Sequence, residues 1–114
     1  MIPDDVSIVY IRRTADVDLR EIVALAAQYY AKTTLDFLVL DMSRDDGALS
    51  LLAGAGDPFR YLVVPDLDFR GIVRLALKAT QDRSVIFIDD LIHGVPRSAY
   101  GGRDVRFLPT TYRP

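Results

Sequence analysis

Residues 60–71 read RYLVVPDLDFRG, and the reading of this stretch decides the fold. Tyr61, Leu62, Val63 and Val64 form a continuous apolar run. Pro65 ends it, and Asp66 and Asp68 lead into the start of a helix. An apolar run bounded by turn residues is expected of a parallel strand covered on both faces. Ligands in open α/β sheets sit outside the carboxyl ends of such strands, so any site is expected close to this exit.

Working outward toward the carboxyl terminus, residues 72–81 read as a helix, with Ile72, Val73, Ala76, Leu77 and Thr80 on one face and Gly71 near its start. Asp82 and Arg83 close it, and residues 85–88 (VIFI) read as a strand running into Asp89 and Asp90. Residues 91–102 are loop-rich, with Gly94, Pro96, Gly101 and Gly102; residues 105–108 form a short last strand on an edge.

Toward the amino terminus, residues 54–58 (GAGDP) are a breaker cluster that follows a short helical run at residues 48–53 and a polar loop at 43–47. Residues 35–40 (LDFLVL) read as a strand ending at Asp41. Residues 6–10 (VSIVY) read as the first strand, ending in Arg12, Arg13 and Thr14. Asp16 or Asp18 can cap the helix that follows. Asp18-Leu19-Arg20-Glu21 has capping-box spacing, worth about 1 kcal/mol. Leu19, Ile22, Val23, Ala26 and Tyr30 recur at helical spacing and are expected to face the sheet.

Strands alternating with helices at this spacing build βαβ units. The expectation is therefore an α/β fold: a three-layer αβα domain with a mostly parallel sheet of four to five strands. Residues 1–114 read as a single domain, with 94–114 as a loop-rich basic tail. From Arg97 on, four arginines (Arg97, Arg103, Arg106, Arg113) stand against one acid, Asp104; such a bias can meet a phosphate or an acidic partner, or be solvated.

Composition narrows the function classes. A chain of 114 residues can build a core without staples, and half of its residues are hydrophobic. It has no cysteine, which removes disulfides and thiol catalysis. A net charge of −2 and a pI near 5.2 lack the basic footprint of a protein that grips phosphate backbones. No apolar run approaches the ~18–20 residues that span a bilayer, and no signal peptide is visible. The expected setting is cytoplasmic, with no membrane.

Two groups of residues can carry chemistry. Asp41, Asp66, Asp68, Asp89 and Asp90 all fall at or beyond the carboxyl ends of three predicted strands. Oxygen ligands suit a hard cation such as Mg²⁺, which can polarise a phosphoryl group. The competing reading is that these acids cap helices and line loops. Thr14, with Arg12 nearby, places a hydroxyl and a guanidinium at one strand end, able to attack phosphorus or bind an anion. No phosphate-binding glycine loop is present, and the single histidine, His93, reads as a bystander.

Three stretches together resemble the catalytic domain of the serine recombinases, the resolvase/invertase family. Tyr10-Ile11-Arg12-Arg13-Thr14 is similar to the family's opening Tyr-x-Arg-Val-Ser. Leu62-Val63-Val64-Pro65-Asp66-Leu67-Asp68 is similar to the strand leading into Leu-Asp-Arg-Leu-Gly-Arg, and residues 84–92 resemble Val-x-x-x-Phe-Ile-Asp-Asp-Gly-Ile. The likeness spans about residues 6–92, the helical run at 48–53 included. It implies a catalytic set at Thr14, Arg12 and Asp68. In that family a serine attacks the DNA phosphodiester and arginines stabilise the transition state.

The departures are specific. The serine position holds Thr14; the two arginines of Leu-Asp-Arg-Leu-Gly-Arg fall on Phe69 and Ile72; another falls near Asp46. Arg70 and Arg74 are displaced, and a helix turns neighbours by ~100°, so they do not replace the missing pair. Neither the long dimerisation helix nor a helix-turn-helix is read after residue 91. Losing one transition-state charge contact can cost ~3–4 kcal/mol, so the resemblance implies a vestigial site. The expected function is a non-catalytic resolvase-like module for protein interaction or self-association, with a protein partner or homo-oligomer, no nucleic acid and no cofactor. The alternative is a small Mg²⁺-dependent, phosphate-handling enzyme using Asp41, Asp68, Asp89 and Asp90.

Overall fold

The computed structural model describes residues 6–30, 36–44, 60–81, 83–91 and 97–111. The helical run at 48–53, the glycine cluster at 54–58, Asp46 and His93 lie outside them, as do the side chain of Tyr30 and residues 112–114. Among the described residues five strands form one sheet: β1 (Val6–Arg12), β2 (Asp36–Asp41), β3 (Arg60–Val63), β4 (Ser84–Ile88) and β5 (Val105–Leu108). Helix α1 (Leu19–Tyr30) joins β1 to β2, α2 (Phe69–Ala79) joins β3 to β4, and a 3-10 turn (Arg97–Tyr100) precedes β5. The strand order is β3-β2-β1-β4-β5, and every pairing is parallel.

Alternation along β1 divides the core in two. Val6, Ile8 and Tyr10 face α1 and pack with Leu19, Ile22, Leu25 and Ala26, joined by Phe37, Val39 and Ile88. Val9 and Ile11 face α2 and pack with Ile72, Val73, Ala76, Leu38, Leu40, Val85 and Phe87. One helix on each face of a parallel sheet is the three-layer arrangement expected of βαβ units. Each such fully buried aliphatic side chain contributes ~1.5–3 kcal/mol, and β1 has every residue buried.

That last fact corrects the reading of residues 60–71. The strand buried on both faces is β1, whereas β3 lies at the sheet edge, with Leu62 40% and Val63 66% exposed. A four-residue apolar run is equally compatible with either place, because strand order is decided by pairing and not by the run itself. β1 also continues two residues past Tyr10: Ile11 pairs with Leu40 and Arg12 with Asp41, and Met42 N–H donates to the Arg12 carbonyl at 2.8 Å.

The helix boundaries follow their caps. Asp68 is extended (φ −72°, ψ 172°) and its carboxylate accepts from Gly71 N–H at 2.8 Å, so α2 starts three residues before the apolar face does. Its end comes at Thr80, whose hydroxyl donates back to the Ala76 carbonyl at 2.8 Å, before Gln81 turns left-handed at φ 53°. Asp18 caps α1 by accepting from Arg20 N–H at 2.9 Å, not from Glu21 as the capping-box spacing suggests, and it also pairs with the Arg20 guanidinium.

Within the basic tail, Gly101 (φ 61°) and Gly102 (φ 80°) turn the chain into β5. Arg103 is turned inward: it donates to the Leu77 carbonyl at 2.5 Å, to the Thr80 hydroxyl at 3.0 Å and to the Arg83 carbonyl at 3.1 Å. It thereby ties the carboxyl end of α2 to the edge strand. Phe107 stacks on Phe87 at 5.4 Å and meets Tyr100 at 6.1 Å. Among the described residues no helix is long and apolar enough to cross a membrane.

Candidate functional site

In this strand order the chain first steps from β1 to β2 to β3, then crosses to β4 on the other side of β1. The carboxyl ends of β1 and β4 are therefore the topological switch point, where open α/β sheets open a crevice for ligands. Arg12, Arg13 and Thr14 leave β1 there, and Asp89 and Asp90 leave β4.

The crevice is spanned by a charge pair. Arg13 reaches across to Asp89 with both arms of its guanidinium, Nε to Oδ1 at 3.0 Å and Nη2 to Oδ2. The Asp89 side chain is 3% exposed and that of Arg13 22%. The Arg13 guanidinium also lies over the Phe69 ring, 5.4 Å from its centroid, a cation–π contact.

On the other side of β1 a second network forms. Arg12, 2% exposed, donates from Nη1 to Asp41 Oδ2 at 2.9 Å and to Ser43 Oγ at 3.1 Å, and from Nε to the Val17 carbonyl at 2.8 Å. Ser43 N–H donates to Asp41 Oδ1 at 2.8 Å, and the Tyr61 hydroxyl donates to Asp41 Oδ2. Burial pushes the Asp41 carboxyl up, but the hydrogen bonds from Ser43, Tyr61 and Arg12 outweigh it, and the carboxyl is held below the ordinary range.

The other residues singled out in the sequence go to different places. Thr14 is exposed in the turn after β1, where its carbonyl accepts from Val17 N–H at 3.3 Å. Asp68 caps α2, and Asp66 is exposed. Asp90 is exposed and binds Thr110, accepting from its N–H at 2.9 Å and from its hydroxyl at 2.5 Å. Phe69 lies under Arg13, and Ile72 is in the core. The structure thus brings Arg12 to Asp41 and puts Asp89 beside Arg13, while Asp68 caps its own helix and Asp90 holds Thr110, just past β5. Among the described residues no group of three or more acids or histidines is arranged to hold a metal ion.

Sequence reasoning passed over Arg13, Tyr61 and Ser43. A signal for Arg13 was available: neighbours on a strand point to opposite faces. Two successive arginines at the end of the central strand therefore serve two faces, and each finds an acid at the end of the adjoining strand. Comparison with known proteins adds no relative, since no family model, curated protein or solved structure matches this chain.

Proposed function

We propose that this chain is a non-catalytic α/β module of the resolvase-like type its sequence resembles, acting in the cytoplasm through contacts with a protein partner or a second copy of itself. The observation that carries this reading is the closure of the carboxyl edge. Arg12 with Asp41 and Arg13 with Asp89 answer each other's charge where a parallel sheet would otherwise present polar groups to a substrate. A buried carboxylate bound by a guanidinium supports the fold, and it has to break that pair before it can serve a reaction.

A stability measurement separates the two roles. Polar groups kept for catalysis are commonly a strain on the fold, so neutralising one leaves stability unchanged or raises it. Removing one partner of a buried ion pair lowers it. Asp89→Asn is expected to lower the melting temperature, with Arg13 left near a neutral amide. An equal or higher melting temperature would overturn the structural role. For the interaction surface, exposed Leu62 and Val63 on the β3 edge are the natural contact. Sedimentation velocity over a concentration series is expected to show association that Val63→Lys weakens. A monomer at every concentration removes self-association from the proposal.

The Mg²⁺-dependent reading keeps one favourable observation: Asp41 and Asp89 end the two strands that flank β1. A site there would raise the melting temperature with millimolar Mg²⁺ by mass action, and an unmoved melting temperature sinks it.

A further inference from the structure

The two arginines left over from the sequence comparison, Arg70 and Arg74, stand one turn apart on α2, and Leu77 continues the same row. The row runs along the border of the buried face at Ile72, Val73, Ala76 and Thr80: Arg70 and Arg74 stand outside that face, and Leu77 is half-buried against the same core. It faces the 3-10 turn, and between the two lies an open cavity of about 350 Å³ lined by Arg70, Arg74, Leu77 and Ser98. Both arginines are exposed, and neither forms an ion pair or hydrogen bond among the described residues. Among the described residues the cavity lining contains no acid.

We propose that this groove binds a small phosphorylated molecule, with its phosphate between the Arg70 and Arg74 guanidinium groups and the Ser98 hydroxyl, and its organic part against Leu77. Four features support the assignment. Two planar forks one helical turn apart offer paired N–H donors to the oxygens of a phosphate monoester, the geometry for which arginine is suited. Like charges at this spacing repel, and a bound anion converts that repulsion into attraction. The cavity has the volume of a small-ligand site, with an apolar wall beside a few polar groups. Its walls are also fixed in advance: α2 is anchored by its buried face, and the 3-10 turn is held through Tyr100 on Phe107 and by Arg103, whose backbone N–H donates to the Tyr100 carbonyl at 3.1 Å. The overall charge of −2 favours a small anion over a nucleic-acid backbone, which calls for a wider basic surface. This inference is independent of the closed carboxyl edge: it holds or fails whether or not Arg12 and Arg13 are structural.

The test is isothermal titration of the full chain at low ionic strength with phenyl phosphate, inorganic phosphate and a short single-stranded oligonucleotide. Phenyl phosphate is expected to bind saturably with one site and more tightly than inorganic phosphate, because only the former reaches Leu77. Arg70→Ala and Arg74→Ala are each expected to weaken it about tenfold, the equivalent of one lost charge-assisted hydrogen bond, and Ser98→Ala by less. Both arginines are exposed, so the variants fold, which circular dichroism checks. Arg106→Ala is the control for unspecific charge: Arg106 is exposed and only loosely paired with Asp104, at 3.7 Å. The proposal is overturned if no saturable binding occurs, if Arg106→Ala weakens binding as much as Arg74→Ala, or if phenyl phosphate gains nothing over inorganic phosphate. Tighter binding of the oligonucleotide with the same arginine dependence would also overturn it, in favour of nucleic acid.

Discussion

Arg12 and Arg13 make one pair of arginines, Arg70 and Arg74 another, and the two pairs have opposite fates. The first leaves the central strand between two strands that each end in an aspartate, so both guanidinium groups are drawn in and bonded. The second stands on the exposed side of α2 with no acid among the described lining residues, so both remain open to solvent. The same side chain is a structural rivet in one place and an exposed charge in the other. Its surroundings decide which: a low-dielectric site makes an unanswered charge costly, whereas at the surface water answers it.

The largest effect expected from this contrast is at Arg12. Arg12→Met leaves Asp41 buried without its cation and should lower the unfolding free energy by ~3–5 kcal/mol, roughly 12 °C or more in Tm at ~4 °C per kcal/mol. Urea unfolding measures it. Adding Asp41→Leu should recover a large part of the loss, because the uncompensated carboxylate is then gone. A single variant as stable as the parent would break the comparison at its stronger end.

Acid provides a second probe of the same network. The folded-state pKa of Asp41 is depressed below its unfolded value. The stabilisation it contributes is therefore complete above the unfolded value near ~3.9 and is lost as the pH falls through the depressed one. Stability should decline on the acid side below about pH 4, and Asp41→Asn should flatten part of that decline while lowering stability at neutral pH. The measurement is a set of thermal melts from neutral to acid pH. An unchanged acid slope in Asp41→Asn would show that Asp41 is not the group responsible.

Asp68 comes next in size. It is the only aspartate of the vestigial set that the family resemblance implies, and its carboxylate is hydrogen-bonded to Gly71 N–H as an N-cap. Asp68→Ala should cost about 1 kcal/mol, read by the urea midpoint, and Asp68→Asn much less, since an amide oxygen caps as well. Equal losses in the two variants would mean that the charge matters, as it would beside a bound cation or another reacting group.

Much of the fold was legible because its signals are local. The strands at residues 85–88 and 105–108 and the apolar row on α2 follow from runs and periodicities that need no partner. The place of each strand was not legible. The apolar run at 61–64 reads as buried, yet among the described residues β3 pairs on one side alone, and the all-buried β1 looked shorter because Arg12 interrupts its apolar run. The site was lost for the same reason. That Asp41 would meet Arg12 depends on β2 lying beside β1 in one particular register, and that Asp89 would meet Arg13 depends on β4 lying on the other side. Neither adjacency is written in the spacing between motifs. The helical turn of ~100° per residue needs no register, and it did show that Arg70 and Arg74 are displaced from the positions of the missing arginines.

The smallest stability effect should come from that second pair. Arg74→Ala removes an exposed guanidinium that makes no hydrogen bond or ion pair among the described residues, so it should alter the unfolding free energy by less than ~0.5 kcal/mol. Two small terms set its sign, and both point upward. Alanine is the better helix former at an exposed position, and losing one of two like charges one turn apart relieves ~0.2–0.5 kcal/mol of repulsion. A slight stabilisation is thus expected in low salt, fading as salt screens the pair, since the Debye length is ~10 Å at 0.1 M. Urea melts of the variant and its parent at two ionic strengths read it directly. A loss of 1 kcal/mol or more would mean that Arg74 is held by the fold as Arg12 is, and the distinction between the two pairs would collapse.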